Sequence, residues 1–132
     1  MEKKERRRHP RVAIDDPISY LCVDSDGQQF AQNMGIARDV SQSGIYIETF
    51  SVVETEYIVL AFADLENNIT EIKGKVVYSQ ENGSGTYKTG ISFKGEHLEN
   101  IKFIEKLIKY YHYKKEKSRL IVSGPNQGHT TL

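Results

Sequence analysis

The chain has 132 residues, 38% of them hydrophobic and 27% charged, with a formal net charge of zero, values that fit one globular domain with its own core. No apolar run approaches the roughly 20 residues that span a bilayer, and no apolar stretch of a secretory signal follows the basic N-terminus, so a cytoplasmic protein without membrane insertion is expected. The single cysteine, Cys22, excludes an internal disulfide, and its neighbours in ISYLCV mark it as an inert strand thiol rather than a nucleophile.

The neutrality conceals three blocks of charge. Residues 1–11 carry six Lys or Arg and two Glu, residues 12–101 five basic and fourteen acidic side chains, and residues 102–132 seven basic and two acidic. Two basic ends therefore flank an acidic body. The first block, KKERRRHPR, concentrates Arg6, Arg7, Arg8 and Arg11 beside Pro10. Proline opposes a regular helix here, so the arginines are presented on an extended or turned arm. A guanidinium is a planar fork that grips phosphate bidentately, stacks on a base or reads guanine O6 and N7.

From Pro17 to Phe93 the chain reads as short strands between turn signals: ISYLCV, FAQNMGIARDV, IYIETF, YIVLAFA, EIKGKVVYS and YKTGISF. Turns every 8 to 12 residues or so argue for an antiparallel sandwich or barrel. Asp26-Gly27 and Asn82-Gly83 are the best hairpin turns. IYIET alternates cleanly, with Ile45 and Ile47 on one face and Tyr46 and Glu48 on the other. After Gly95 the period changes: Leu98, Ile101, Ile104, Leu107, Ile108 and Tyr111 recur at three- and four-residue steps, predicting an amphipathic helix from about His97 to Lys117 that covers the mouth or a face of the β-unit. The tail from Ser118, with its Gly-Pro break, is expected to be flexible.

Nothing supports catalysis. His9, His97, His112 and His129 have neither metal-ligand spacing nor a nucleophile nearby, and no glycine-rich phosphate loop opens a helix. A more informative pattern lies in RDVSQSGIYIE, where Asp39, Ser41 and Gly44 form D-x-S-x-x-G between two strands. Its plain role is a turn. Its chemical potential is a carboxylate that accepts from guanine N1–H and N2–H₂, a hydroxyl for a phosphate or base edge, and a bare backbone that a flat ring can approach.

R-x-x-x-R at Arg7 and Arg11, followed by D-x-S-x-x-G at Asp39, Ser41 and Gly44, resembles the PilZ domain, a bacterial receptor module for cyclic di-GMP. The likeness continues in GKVVYSQENGSGTYKTGISF, Gly74 to Phe93, and covers about residues 5 to 95, with the C-terminal helix in its family place. It implies a mostly-β fold: a six-stranded antiparallel β-barrel over residues 13–95 with a C-terminal amphipathic α-helix at 96–117, a flexible ligand-binding arm at 1–12 and a flexible tail at 118–132. The implied ligand is cyclic di-GMP, held by Arg7, Arg11, Asp39, Ser41 and Gly44. Arg6, in the position before R-x-x-x-R, implies a stacked pair of ligands on each chain, and Tyr78 stands where the family often has an aromatic residue near the site. Ser43 departs from the pattern, since many members have glycine there. The implied mechanism is a stand-alone, non-enzymatic relay in which ligand draws the arm onto the barrel and alters the surface offered to a protein partner. Two rival readings are a PilZ-fold adaptor that binds no nucleotide and a small barrel that binds single-stranded nucleic acid. The acidic body opposes the second, so no DNA or RNA partner is expected.

Overall fold

The computed structural model describes residues 11–123, with side chains as far as Ser118. Six strands, β1 (Val12–Val23), β2 (Gln29–Val40), β3 (Gly44–Thr49), β4 (Tyr57–Ala63), β5 (Ile69–Glu81) and β6 (Tyr87–Phe93), precede one helix, α1 (His97–Ser123). Every pairing is antiparallel, in the order β1-β2-β3-β6-β5-β4, and β4 returns to β1 to close a barrel. Alternation supplies the inside and the outside: β3 buries Ile45, Ile47 and Thr49, and β4 buries Ile58, Leu60 and Phe62. Cys22 is buried in β1 as a free thiol.

The two expected hairpin turns rest on glycines with positive φ, 81° at Gly27 and 88° at Gly83. A further hairpin turns at Asn67, where an asparagine adopts φ 65° and Asp64 gathers the backbone N–H groups of Glu66 and Asn68. These bonds, led by the one from Asn68, hold the Asp64 carboxyl below the usual carboxylate range.

The first strand starts earlier than the sequence suggests. The residues before ISYLCV, VAIDDP, are part of β1, which begins at Val12. Pro17 is tolerated because residues before Ser19 pair with β2 alone, leaving one side of the strand without a ladder that needs the missing N–H. Val12, expected at the end of the arm, belongs to the barrel, and residues 1–10 of that expected arm lie outside the described residues.

The helix differs in two respects. It runs to Ser123 rather than Lys117, so residues 118–123 are helical backbone and not flexible tail; SRLIVS contains no breaker, and the first residues to oppose a helix are Gly124 and Pro125. Its apolar stripe is the expected one at Ile104, Leu107, Ile108 and Tyr111, which are buried in or packed against the core, but differs at its start. Leu98 is 69% exposed, whereas Phe103, Ile104 and Leu107 are buried. Phe103 meets Phe62 edge-on at 5.3 Å between centroids and leans on Phe93 at 5.9 Å. Both partners belong to the barrel core, so the helix covers the mouth of the barrel.

Leu107 is fully buried, and Leu107→Ala is expected to lower the unfolding free energy by about 2–5 kcal/mol. Leu98→Ala should change it by less than about 0.5 kcal/mol. Urea titrations of the two variants check both the helix register and its role as a plug.

Candidate functional site

Register decides which side chains share the barrel's outer surface. Asp39 faces Ala13 on β1 and Tyr46 on β3, Tyr46 faces Gly90 on β6, and Gly90 faces Tyr78 on β5. One outward row therefore crosses five strands. Gly90 is the gap in it, and Tyr78 fills the gap: a Cβ built on Gly90 would lie 2.6 Å from Tyr78 Cζ. Beside the row, Lys88 holds its ammonium 4.6 Å from the Tyr46 ring centroid, a cation–π contact.

Arg11, directly before β1, reaches this row. Its Nε and Nη2 donate to Asp39 Oδ1 at 3.1 and 2.5 Å, joining the last arginine of R-x-x-x-R to the carboxylate of D-x-S-x-x-G across 28 residues of sequence. The pair is accessible, with the side chains 37% and 29% exposed. Arg6 and Arg7 lie outside the described residues. The expectation that Asp39 faces ligand donors meets a different first partner here, because its carboxylate is occupied by Arg11.

Ser41 and Gly44 have mainly architectural surroundings. Ser41 is buried; its hydroxyl accepts from the Ser43 N–H at 3.3 Å and its own N–H donates to the Gly44 carbonyl at 2.9 Å. Gly44 has no positive φ. What it needs is room, since a Cβ there would strike the Ile91 carbonyl oxygen of β6. Ser43, the departure from the family pattern, accepts from the Phe93 N–H at 2.9 Å and pins the turn to β6.

Sequence reasoning missed Arg38. It sits where β1 gains an extra residue against β2 between Ala13 and Asp16, and where β2 gains one against β3 between Ala37 and Asp39. Such bulges re-aim a side chain. Arg38 Nε and Nη2 donate to Glu48 Oε1 at 3.0 and 2.6 Å, and Nη1 donates to Asp15 Oδ1 at 2.9 Å. Glu48 also accepts from Thr86 Oγ1 at 2.7 Å. The Thr86 hydroxyl first, and Arg38 second, hold the Glu48 carboxyl below the usual range, while Glu48 raises Arg38 above its ordinary value. The available signal was its position, next to Asp39 in a stretch with few basic residues.

The face combines an arginine, a carboxylate and two tyrosine rings on an open surface, a set suited to a flat anionic ligand with hydrogen-bond donors on its edge. A groove of about 500 Å³ between Leu21, Met34, Ala63 and Tyr110 contains none of these residues. Among the described residues no three His, Cys, Asp or Glu side chains converge to hold a metal, and no helix is long and apolar enough to cross a membrane.

The family model for the PilZ domain matches residues 5–110. Compared with curated proteins, the sequence finds no match. Among solved structures, the fold is similar to the PilZ domain with c-di-GMP of YcgR from Escherichia coli, at 12% identity and a TM-score of 0.59, covering 86% of this chain and 98% of that one. It is also similar to the K. pneumonia MrkH-c-di-GMP complex, at 20% identity and a TM-score of 0.52, covering 85% of this chain and 55% of that one. The apo state of K. pneumonia MrkH matches at 17% identity and a TM-score of 0.52, with 83% and 52% covered. The chain thus spans about half the length of MrkH.

Because the Glu48 carboxyl titrates below its unfolded value, its contribution to stability is present above about pH 4.3 and is lost as pH falls through the depressed folded value. The stability difference between the native chain and Glu48→Gln should be constant near neutrality and shrink at acidic pH. Paired urea titrations from pH 7 to pH 3 measure it.

Proposed function

The chain belongs to the PilZ domain family, and from that premise we propose that it is a receptor for cyclic di-GMP that binds through Arg7, Arg11, Asp39, Ser41 and Gly44. The observation that carries this reading is the Arg11–Asp39 contact, because it brings the two halves of the family's motif pair to one spot on the barrel surface. The ligand named in the YcgR and MrkH complexes supports it.

Magnitudes favour exchange of partners at this spot. An accessible ion pair contributes at most about 1 kcal/mol, whereas a charge-assisted hydrogen bond to a phosphate contributes about 1.5–3 kcal/mol. A cyclic dinucleotide therefore takes Arg11 from Asp39. The released carboxylate repels phosphate and accepts from guanine N1–H and N2–H₂ instead. Arg7, one R-x-x-x-R step earlier, supplies a second fork, while Tyr46 and Tyr78 offer rings to the purine faces. Ser41 and Gly44 hold the turn that sets Asp39 beside β3, and the bare Gly44 backbone lets the ligand approach. Arg6 contributes to a second, stacked ligand. The output is a changed surface presented to a protein partner as the arm is drawn onto the barrel, with no catalytic step.

Titration calorimetry of cyclic di-GMP into the full chain tests this reading. Two ligands per chain are expected, with no heat from GTP. Arg7→Ala and Arg11→Ala should each weaken binding about 10- to 150-fold without loss of fold, and Arg6→Ala should reduce the stoichiometry to one. Native-like binding by both Arg7→Ala and Arg11→Ala rules out this site.

A further inference from the structure

Asp15 and Asp16 are neighbours on β1 and point to opposite sides of the barrel wall. Asp15 faces out, its side chain 66% exposed, and pairs with Arg38. Asp16 faces in, its side chain 1% exposed, against the helix that covers the mouth. Lys114 Nζ of α1 stands 2.5 Å from Asp16 Oδ1 and 4.7 Å from the Tyr110 ring centroid. Neither oxygen of Asp16 accepts a well-directed hydrogen bond among the described residues, so the contact is a charge pair alone.

A buried carboxylate with one poorly directed partner does not recover the hydration it gave up. It is held in by its surroundings, and release to water is favourable as soon as they permit it. They are weak at this point. Residues 12–18 of β1 pair with β2 only, since β4 joins at Ser19, and the strand is bulged between Ala13 and Asp16. The same short segment begins directly after Arg11, and Ala13 is the register partner of Asp39. A displacement at the Arg11–Asp39 contact therefore enters β1 at its least supported stretch, and Asp15 and Asp16 move together because they share a peptide bond.

We propose that the Asp16–Lys114 pair is a latch that couples the outer binding face to the C-terminal helix through the β1 bulge, and that occupation of that face loosens it. The direction rests on the reading of this face as a cyclic di-GMP site. Ligand takes Arg11 from Asp39, the bulge shifts, Asp16 loses Lys114, and the second half of α1 separates more easily from the barrel mouth. Coupling of this kind is reciprocal, so removing the latch strengthens ligand binding by the factor by which ligand weakens the latch.

Hydrogen exchange of backbone amides over residues 107–118 in the full chain is the test, with and without saturating cyclic di-GMP. In the native chain, ligand should raise exchange there about five- to tenfold, at the lower end of the usual range of coupling. The double variant Asp16→Asn/Lys114→Met removes both charges and leaves no buried ion unpaired; its helix exchange should not respond to ligand, and its affinity should rise by the same factor. Arg38→Ala, measured without ligand, frees Asp15 and should raise helix exchange in an otherwise native chain. If the native chain binds cyclic di-GMP and its helix exchange stays unchanged, or if the double variant responds as the native chain does, the latch is refuted. If the native chain binds no cyclic di-GMP, the receptor reading fails, and the Arg38→Ala arm decides the latch alone: unchanged helix exchange refutes it.

Discussion

Pairing of Ser19–Val23 on β1 with Tyr57–Ala61 on β4 closes the sheet, and closure constrains nearly everything else. A closed sheet has no edge to protect, and every strand must divide its side chains strictly between one inside and one outside. With six strands the interior is narrow, so a crowded point inside requires glycine: a Cβ on Gly74 would strike the Ile91 side chain. Polar groups facing inward must satisfy one another. The hydroxyls of Thr49 and Thr89 lie 3.1 Å apart and those of Thr89 and Ser79 2.8 Å apart, and Ser79 accepts from the Val53 N–H at 3.0 Å. The strand that completes the barrel is also the one left half-supported, because β4 reaches only its second half.

On the outside, closure brings Asp39, Tyr46, Gly90 and Tyr78 into one row, and the charges around it differ in how firmly they are held. Arg38 places two nitrogens on one Glu48 oxygen, and that glutamate has only 17% of its side chain exposed. Arg11 and Asp39 lie in the open. Water and salt weaken the second pair more than the first, because its carboxylate is the more exposed, at 29%. The face thus has a firmer electrostatic frame, Arg38–Glu48–Thr86, and beside it one arginine and one carboxylate whose pairing is easily exchanged. This distinction between frame and exchangeable pair gives an acidic body an arginine contact that a phosphate can compete for.

How much of this was legible in the sequence depended on the range of the physics involved. β4 and β6 could be read residue for residue, because YIVLAFA and YKTGISF are short runs of strand length beside the turn signals DLENN and ENGSG, and such a pattern is local. Arg11 and Asp39 are 28 residues apart, and only the family's motif pair linked them; no local rule does. Arg38 was overlooked because its role depends on two bulges, which arise from register between strands. Leu98 and Phe103 both fit a helical stripe, and the choice between them is made by Phe62 and Phe93 across the barrel mouth. The end of α1 was placed too early at Lys117, since loss of apolar periodicity was read as loss of helix, although the backbone has no breaker before Gly124.

Asp15 and Asp16 show the limit most clearly. Two consecutive aspartates before a proline read as a polar connection, yet one lies on the outer face and the other is fully buried. Alternation along β1 determines which is which, since Asp16 falls in phase with the buried Ile14, Ile18 and Tyr20. In terms of stability alone the burial is a poor arrangement: removing a carboxylate and an ammonium from water costs several kcal/mol each, and apolar side chains of similar volume often do as well or better by about 1–4 kcal/mol. Lys114 softens that cost by keeping its side chain 41% exposed and by resting on Tyr110, which stacks in turn on Phe62. The helix is thereby anchored in two unequal ways. Phe103 and Leu107 hold its first half by close apolar packing that has no alternative partner in water, whereas its second half combines the partial packing of Tyr110 and Tyr111 with an ion pair that water can replace.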